Sequence, residues 1–208
     1  LCKTVKISIK RGINMKKTFY LMRHGQTLFN VRRKIQGACD SPLTEQGIIQ
    51  AKEAGERLKG INFDHFYSST AERASDTLEL VVGESITYQR LKGLKEMNFG
   101  TFEGESEDLN PKTPEGYKDF FVPYGGESQE EVKQRMKETC LGIMEKDDHQ
   151  IVLAVSHAGA CFHFMRNWIT EEEAKQAMMN GAFSNCAICK YEYENKQFNL
   201  IEIIRQEK

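Results

Sequence analysis

Proline is scarce, at 4 in 208 residues, and there is one tryptophan. So little proline rules out an extended proline-rich spacer. Neither charge sign dominates, with 29 Lys and Arg against 30 Asp and Glu. Without a basic excess nothing can neutralise a run of phosphates, so nucleic acid is excluded as the main partner. No apolar run is long enough to cross a bilayer, and none near the start could serve as the core of a signal peptide. A membrane is therefore not an expected partner, and the cytoplasm is the expected location. The six cysteines, at 2, 39, 140, 161, 186 and 189, are too sparse for a disulfide scaffold. The CxxC at 186–189 has no second pair to complete a zinc site, and its setting reads as strand. Buried thiols in a reducing compartment are the expectation. No repeat or low-complexity tract is present.

What remains is an ordinary globular composition, 39% hydrophobic with 16 glycines, enough for one sizeable core. Residues 15–208 read as a single domain. Residues 1–14 read as an N-terminal extension, with Met15 as the natural start. Apolar runs and amphipathic stretches alternate from there. Strands are predicted at 18–22, 63–67, 86–89, 151–155, 185–193 and 197–204, the last two joined by a hairpin at Glu194-Asn195-Lys196. Helices are predicted from Thr44, from Thr70, over 160–168, and from the capping boxes at Ser128 and Thr170. The run 151–155 is apolar throughout, as in a strand buried on both faces of a parallel sheet. The expected fold is a three-layer α/β/α domain with a mainly parallel sheet. Between 103 and 126 prolines and glycines break the pattern, and a short lid insertion is expected there.

In parallel sheets ligands bind beyond the carboxyl ends of strands. Three polar clusters are predicted there: Arg23-His24, 68–73 and Ser156-His157. A histidine beside an arginine at a strand end is poorly explained by packing, because both prefer water unless paired. An arginine fork suits phosphate oxygens, and Gly25 would permit a sharp turn or a close approach. A surface loop with an incidental histidine is the competing reading for that tripeptide alone.

Five segments occur in order: RHGQT at 23–27, IQGACDSPLTEQG at 35–47, SSTAERASDTL at 68–78, LKEMNFGTFEGE at 94–105 and SHAGA at 156–160. Together they resemble the histidine phosphatase superfamily, whose fold is phosphoglycerate mutase-like. The resemblance implies that His24 accepts a phosphoryl group, that Arg23 and Arg73 hold its oxygens, and that a cationic His157 donates to it. It implies that Asn30, Gln36, Gly37 and Ala158 line the substrate pocket, and that Glu96 protonates the leaving oxygen. Glu103, and after it Glu105 and Glu107, are alternative acids. His65, His149 and His163 are left as structural or surface residues. No metal or cofactor is implied, because arginines and histidine can supply the countercharge.

The implied activity is hydrolysis of small phosphomonoesters through phosphohistidine, with a small phosphorylated metabolite as partner and a homodimer left open. Phosphoglycerate mutase-type isomerisation and a catalytically silent phospholigand-binding module are the alternatives. A mutase must keep water from its phosphoenzyme, and the two dozen residues at 103–126 offer little cover, which favours hydrolysis. Small residues at Gly37-Ala38-Cys39 stand where an aromatic is common, so no substrate preference carries over.

Overall fold

The structure, a computed structural model, describes residues 16–206. The extension at 1–14 and the start at Met15 lie outside the described residues. Long helical connections return successive strands in the same direction, and this builds a six-stranded sheet in the order β3-β2-β4-β1-β5-β6. The strands are β1 (Lys17–Arg23), β2 (His65–Ser69), β3 (Gln89–Leu91), β4 (Ile151–Ser156), β5 (Ile188–Glu194) and β6 (Gln197–Ile204). The first four run parallel, and β5 pairs antiparallel with both β1 and β6. The helices are α1 (Leu28–Val31), α2 (Glu45–Arg57), α3 (Glu72–Val82), α4 (Pro114–Tyr117), α5 (Gln129–Met144), α6 (Ala158–Met165) and α7 (Glu171–Met179).

Alternation along the strands splits the core in two. Tyr20, Met22, Leu153 and Val155 face Ala51 and Ala54 of α2 and Ala74 and Leu78 of α3. Phe19, Leu21, Val152 and Ala154 face Met136 and Cys140 of α5 and Phe164 of α6. This is the expected three-layer arrangement, and β4 is buried on both faces as its composition predicts. The chain leaves β1 toward one face and β4 toward the other. The two strands are neighbours, so a crevice opens between their carboxyl ends.

Several local signals have the form read from the sequence. Ser128 and Thr170 each cap a helix, with Glu131 and Glu173 completing the boxes. Thr44 caps α2 by accepting from Gly47 N. The hairpin turn places Asn195 and Lys196 at φ of 52° and 62°, as a tight turn with two left-handed residues requires. Other boundaries shift. The second strand begins at His65 rather than 63, and α3 begins at Glu72, because Ser69 Oγ accepts from Ala71 N and holds 69–71 extended. The sixth helical segment starts at Ala158 and ends at Met165, before the expected Trp168. Cys186 is left-handed, at φ 56°, and precedes β5 instead of lying within it. It and Cys189 are buried free thiols.

Gly25 is needed for a close approach, made here to the chain's own backbone. A Cβ on Gly25 would lie 2.6 Å from Gly47 O, and one on Gly47 would lie 2.1 Å from Gln26 O. The first turn of α2 therefore seats directly on the loop that carries His24. Gly47→Ala should push the helix off that loop and cost about 1–3 kcal/mol of stability, as overpacking does. Urea unfolding measures it, and a midpoint matching the parent would contradict this account.

Residues 103–126 contain short turns and α4. Phe121 is fully buried, ringed at 4.9–5.7 Å by Phe99, Phe102, Tyr117 and Phe120. Part of this segment is thus core, while Tyr117 faces the site described next.

Candidate active site

Strand register brings the two site histidines together. Arg23 pairs with Ser156 across β1 and β4, and His24 N donates to Ser156 O at 3.0 Å, extending the ladder by one residue. His24 and His157 therefore emerge side by side, their ring centroids 5.1 Å apart in an edge-to-face arrangement. His24 Nδ1 lies 2.7 Å from Gly25 O, so it carries the proton and donates to that carbonyl. The opposite nitrogen, Nε2, is left as an acceptor and takes a 3.3 Å hydrogen bond from Arg73 Nε. Burial, followed by Arg73 and Arg23, holds the His24 pKa well below its ordinary value. The ring is thus neutral, with its lone pair on Nε2.

His157 is fully buried and stands at the N-cap position of α6, with its side chain making no capping hydrogen bond. Its Nε2 shares a 2.7 Å hydrogen bond with Ser69 Oγ at the end of β2, while Nδ1 is buried without a partner. Burial first, then Arg73, His24 and Arg23, push its pKa well down. The cationic His157 read from the sequence is therefore corrected: burial, with the neighbouring guanidinium groups, favours the neutral ring. Arg23 Nη1 donates to Phe183 O at 2.6 Å, and its Nε is buried without a partner. Two partnerless buried polar atoms beside a neutral imidazole make a place for an anion.

Arg73 differs more from expectation. Its side chain is fully buried, and its Nη1 and Nη2 are engaged by Asp40 at 2.8 Å and by the carbonyls of Cys39 and Gly37 at 2.9 and 3.0 Å. It locks the 36–40 loop against His24. That loop is fixed from its other side by Glu103, which accepts from the backbone N–H groups of Gly37, Ala38, Cys39 and Phe99. Burial would raise the Glu103 pKa, but hydrogen bonds from Cys39, Phe99 and Ala38 outweigh it and hold it low.

A cavity of about 180 Å³ opens above His24, lined on this side by Arg23, Asn30, Gln36, Glu96 and Ala158. Gly37, Arg73 and His157 are not among its lining residues, although Arg73 and His157 both adjoin His24. Asn30 Oδ1 accepts from Thr27 N and from Asn185 Nδ2, so part of its side-chain amide serves the α1 cap. Gln36 is tied at both ends, to Thr27 and Ser41. Glu96 accepts from Met97 N, Gly159 N and Ala160 N at 2.8–2.9 Å, which sets a carboxyl group at the start of α6 and on the cavity wall. Glu103 is not on that wall. Lys34, Ile35, Phe99, Glu107, Asn110 and Tyr117 complete the lining. Of these, sequence reading named only Glu107, as an alternative acid, while Asn110 and Tyr117 fall within the expected lid at 103–126.

The family model described as histidine phosphatase superfamily (branch 1) matches residues 19–205, and the chain belongs to this superfamily. Similar proteins divide between two activities. A probable phosphoglycerate mutase of Salmonella choleraesuis is 30% identical over 190 residues, which is 86% of each chain. The crystal structure of phosphoglycerate mutase from Bacillus anthracis superposes with a TM-score of 0.78 at 27% identity, covering 90% of this chain and 92% of that one. Phosphoserine phosphatase from Entamoeba histolytica, in complex with 3-phosphoglyceric acid, gives 0.73 at 26%, covering 91% and 98%. Among the described residues no helix is long and apolar enough to cross a membrane.

Proposed function

We propose that the chain is a phosphatase of small phosphomonoesters acting through phosphohistidine, with charge stabilisation supplied by side chains. The observation that supports it most is the state of His24: neutral by burial, its tautomer set by Gly25 O, its lone pair on Nε2, to which Arg73 Nε donates a long hydrogen bond. In-line attack by Nε2 on phosphorus forms the N–P bond as the ester P–O bond breaks. Arg23 Nε and His157 Nδ1 take the equatorial oxygens. The arriving dianion favours protonation of His157, reversing the effect of the guanidinium groups. Glu96, on the cavity wall, is the acid that gives its proton to the departing alkoxide. Water then attacks phosphorus, Glu96 takes a proton from it, the N–P bond breaks and phosphate leaves with His24 restored.

Glu96 is preferred to Glu103 as the acid because it lines the cavity with His24, whereas Glu103 is not on the cavity wall. Glu96→Gln should slow alkyl phosphates by about 10²–10³-fold and nitrophenyl phosphate far less, since only the former need a proton on the leaving oxygen. Equal losses on both would remove Glu96 from that role. The second reading, mutase activity, is carried by the names of the similar proteins. Phosphate release should outpace interconversion of 2- and 3-phosphoglycerate. Interconversion with little phosphate released would overturn hydrolysis.

A further inference from the structure

Phosphoryl transfer uses the carboxyl ends of the strands and leaves the histidines at the other end of the sheet without a task. His65 opens β2, while Asp148 and His149 lie just before β4. The two strands are parallel neighbours with His65 opposite Val152, so the three residues meet at the amino ends of both. Asp64 fixes that meeting. Its N donates to Ile151 O at 3.0 Å, and its Oδ2 accepts from Gln150 N and Ile151 N at 2.8 Å.

Both imidazoles address one carboxylate. His65 Nε2 lies 3.1 Å from Asp148 Oδ2, and His149 Nδ1 lies 2.7 Å from Asp148 Oδ1. The two rings stack, with centroids 3.6 Å apart and planes 14° from parallel. One donor atom from each of the three residues falls within 4.8 Å of the others. A tetrahedral zinc ion holds its ligand atoms about 3.3 Å apart, so a shift on the order of an ångström closes the set. His65 is partly exposed and Asp148 largely so, which lets both make that shift and admits water as a further ligand.

His149 is held more firmly. It is buried, and its Nε2 meets Tyr67 Oη at 2.7 Å. Tyr67 is fully buried in β2 and takes a 2.8 Å hydrogen bond from Lys146 Nζ. A metal on Nδ1 displaces the proton that faces Asp148 and leaves the ring protonated on Nε2, where Tyr67 Oη accepts it. An outer hydrogen bond of this kind orients nearly every metal-binding imidazole. Two ring nitrogens and one carboxylate oxygen suit zinc, whereas calcium and magnesium call for shells of oxygen. We propose that His65, Asp148 and His149 bind a zinc ion, through Nε2, one carboxylate oxygen and Nδ1, with water as the fourth ligand. The ion ties β2 to the segment entering β4, at the opposite end of the sheet from His24. Residues 65 and 148 are far apart in the unfolded chain, so zinc favours the native state. The site stands independently of the phosphatase reading.

The test titrates zinc chloride into the untagged chain. Calorimetry should register a single site, and an excess of zinc should raise Tm by several degrees. Calcium or magnesium chloride at the same concentration should leave Tm where it was. His65→Gln and Asp148→Asn change side chains that are not buried, so both variants should fold. Each should bind zinc about tenfold or more weakly and lose most of the rise in Tm. His24→Ala, which alters the other histidine pair, should bind zinc as tightly as the parent. Cobalt chloride should give the intense visible bands of a tetrahedral ion with the parent and not with His65→Gln. A parent that binds no zinc, or zinc binding that both variants retain, would overturn the site. So would zinc binding that His24→Ala abolishes, since the ion would then sit on the active-site imidazoles. A rise in Tm with calcium equal to that with zinc would overturn the assignment of the ion.

Discussion

His24→Ala should lower turnover by at least about 10³-fold while leaving the fold intact. A nucleophile that forms a covalent intermediate has no substitute once its nitrogen is gone. Brief incubation of the parent with ³²P-labelled substrate should leave an acid-labile, alkali-stable label that His24→Ala lacks. The size of the effect follows from geometry. Gly25 O fixes the Nδ1 proton, Arg73 Nε addresses Nε2, and the ring is buried at the end of β1. No other side chain on the cavity wall offers a neutral imidazole. A mutant retaining near-parental turnover would end the phosphohistidine mechanism.

Acid should destabilise the protein well above the carboxylate range. His24, His157 and His163 are all buried with depressed pKa values, and burial is the largest cause in each. For His163 the value is about 3, with Arg166, Lys133 and Arg135 adding to burial. A depressed base means that the unfolded chain binds protons the native chain refuses. Stability is therefore complete above the unfolded value near 6.5 and falls as pH drops below it. For His163 the loss between pH 7 and 5.5 is roughly 1.2 kcal/mol, and His24 and His157 act in the same direction. That is a noticeable share of the 5–15 kcal/mol typical of a domain. Urea titrations at the two pH values measure it, and His163→Gln should make the slope shallower. Equal stability at both would refute it. Bound phosphate should blunt the loss, because an anion favours the charged form of His157.

The histidine pair was legible in the sequence because its placement depends on strand ends alone. Any fold that sets 18–22 beside 151–155 in parallel brings Arg23-His24 and Ser156-His157 to one edge. Capping boxes and the hairpin turn were legible because their hydrogen bonds run between residues three or four apart. Lys34, Glu107 and Asn110 were not, since they meet through one isolated bridge between loops more than 70 residues apart, and no periodicity encodes such a contact. The Arg73–Asp40 pair escaped for the same reason: both residues lie within recognised segments, but which carboxylate meets which guanidinium is settled only by the path of the 36–40 loop. The start of α3 moved by two residues because the Ser69 side chain took over a backbone amide there.

The clasp at Glu103 has a consequence for how the chain treats anions. Three successive amides, of residues 37, 38 and 39, converge on one carboxylate. Such a concave run of backbone dipoles is a nest, the device that elsewhere captures phosphate from solution. Here the occupant is covalently part of the protein, so the nest cannot compete for the substrate's phosphoryl group. The same carbonyls that back this nest are the ones gripping Arg73, and through it the lone pair of His24. An internal anion thus organises the cradle, and the position facing the solvent-fed cavity stays free for one that arrives from outside.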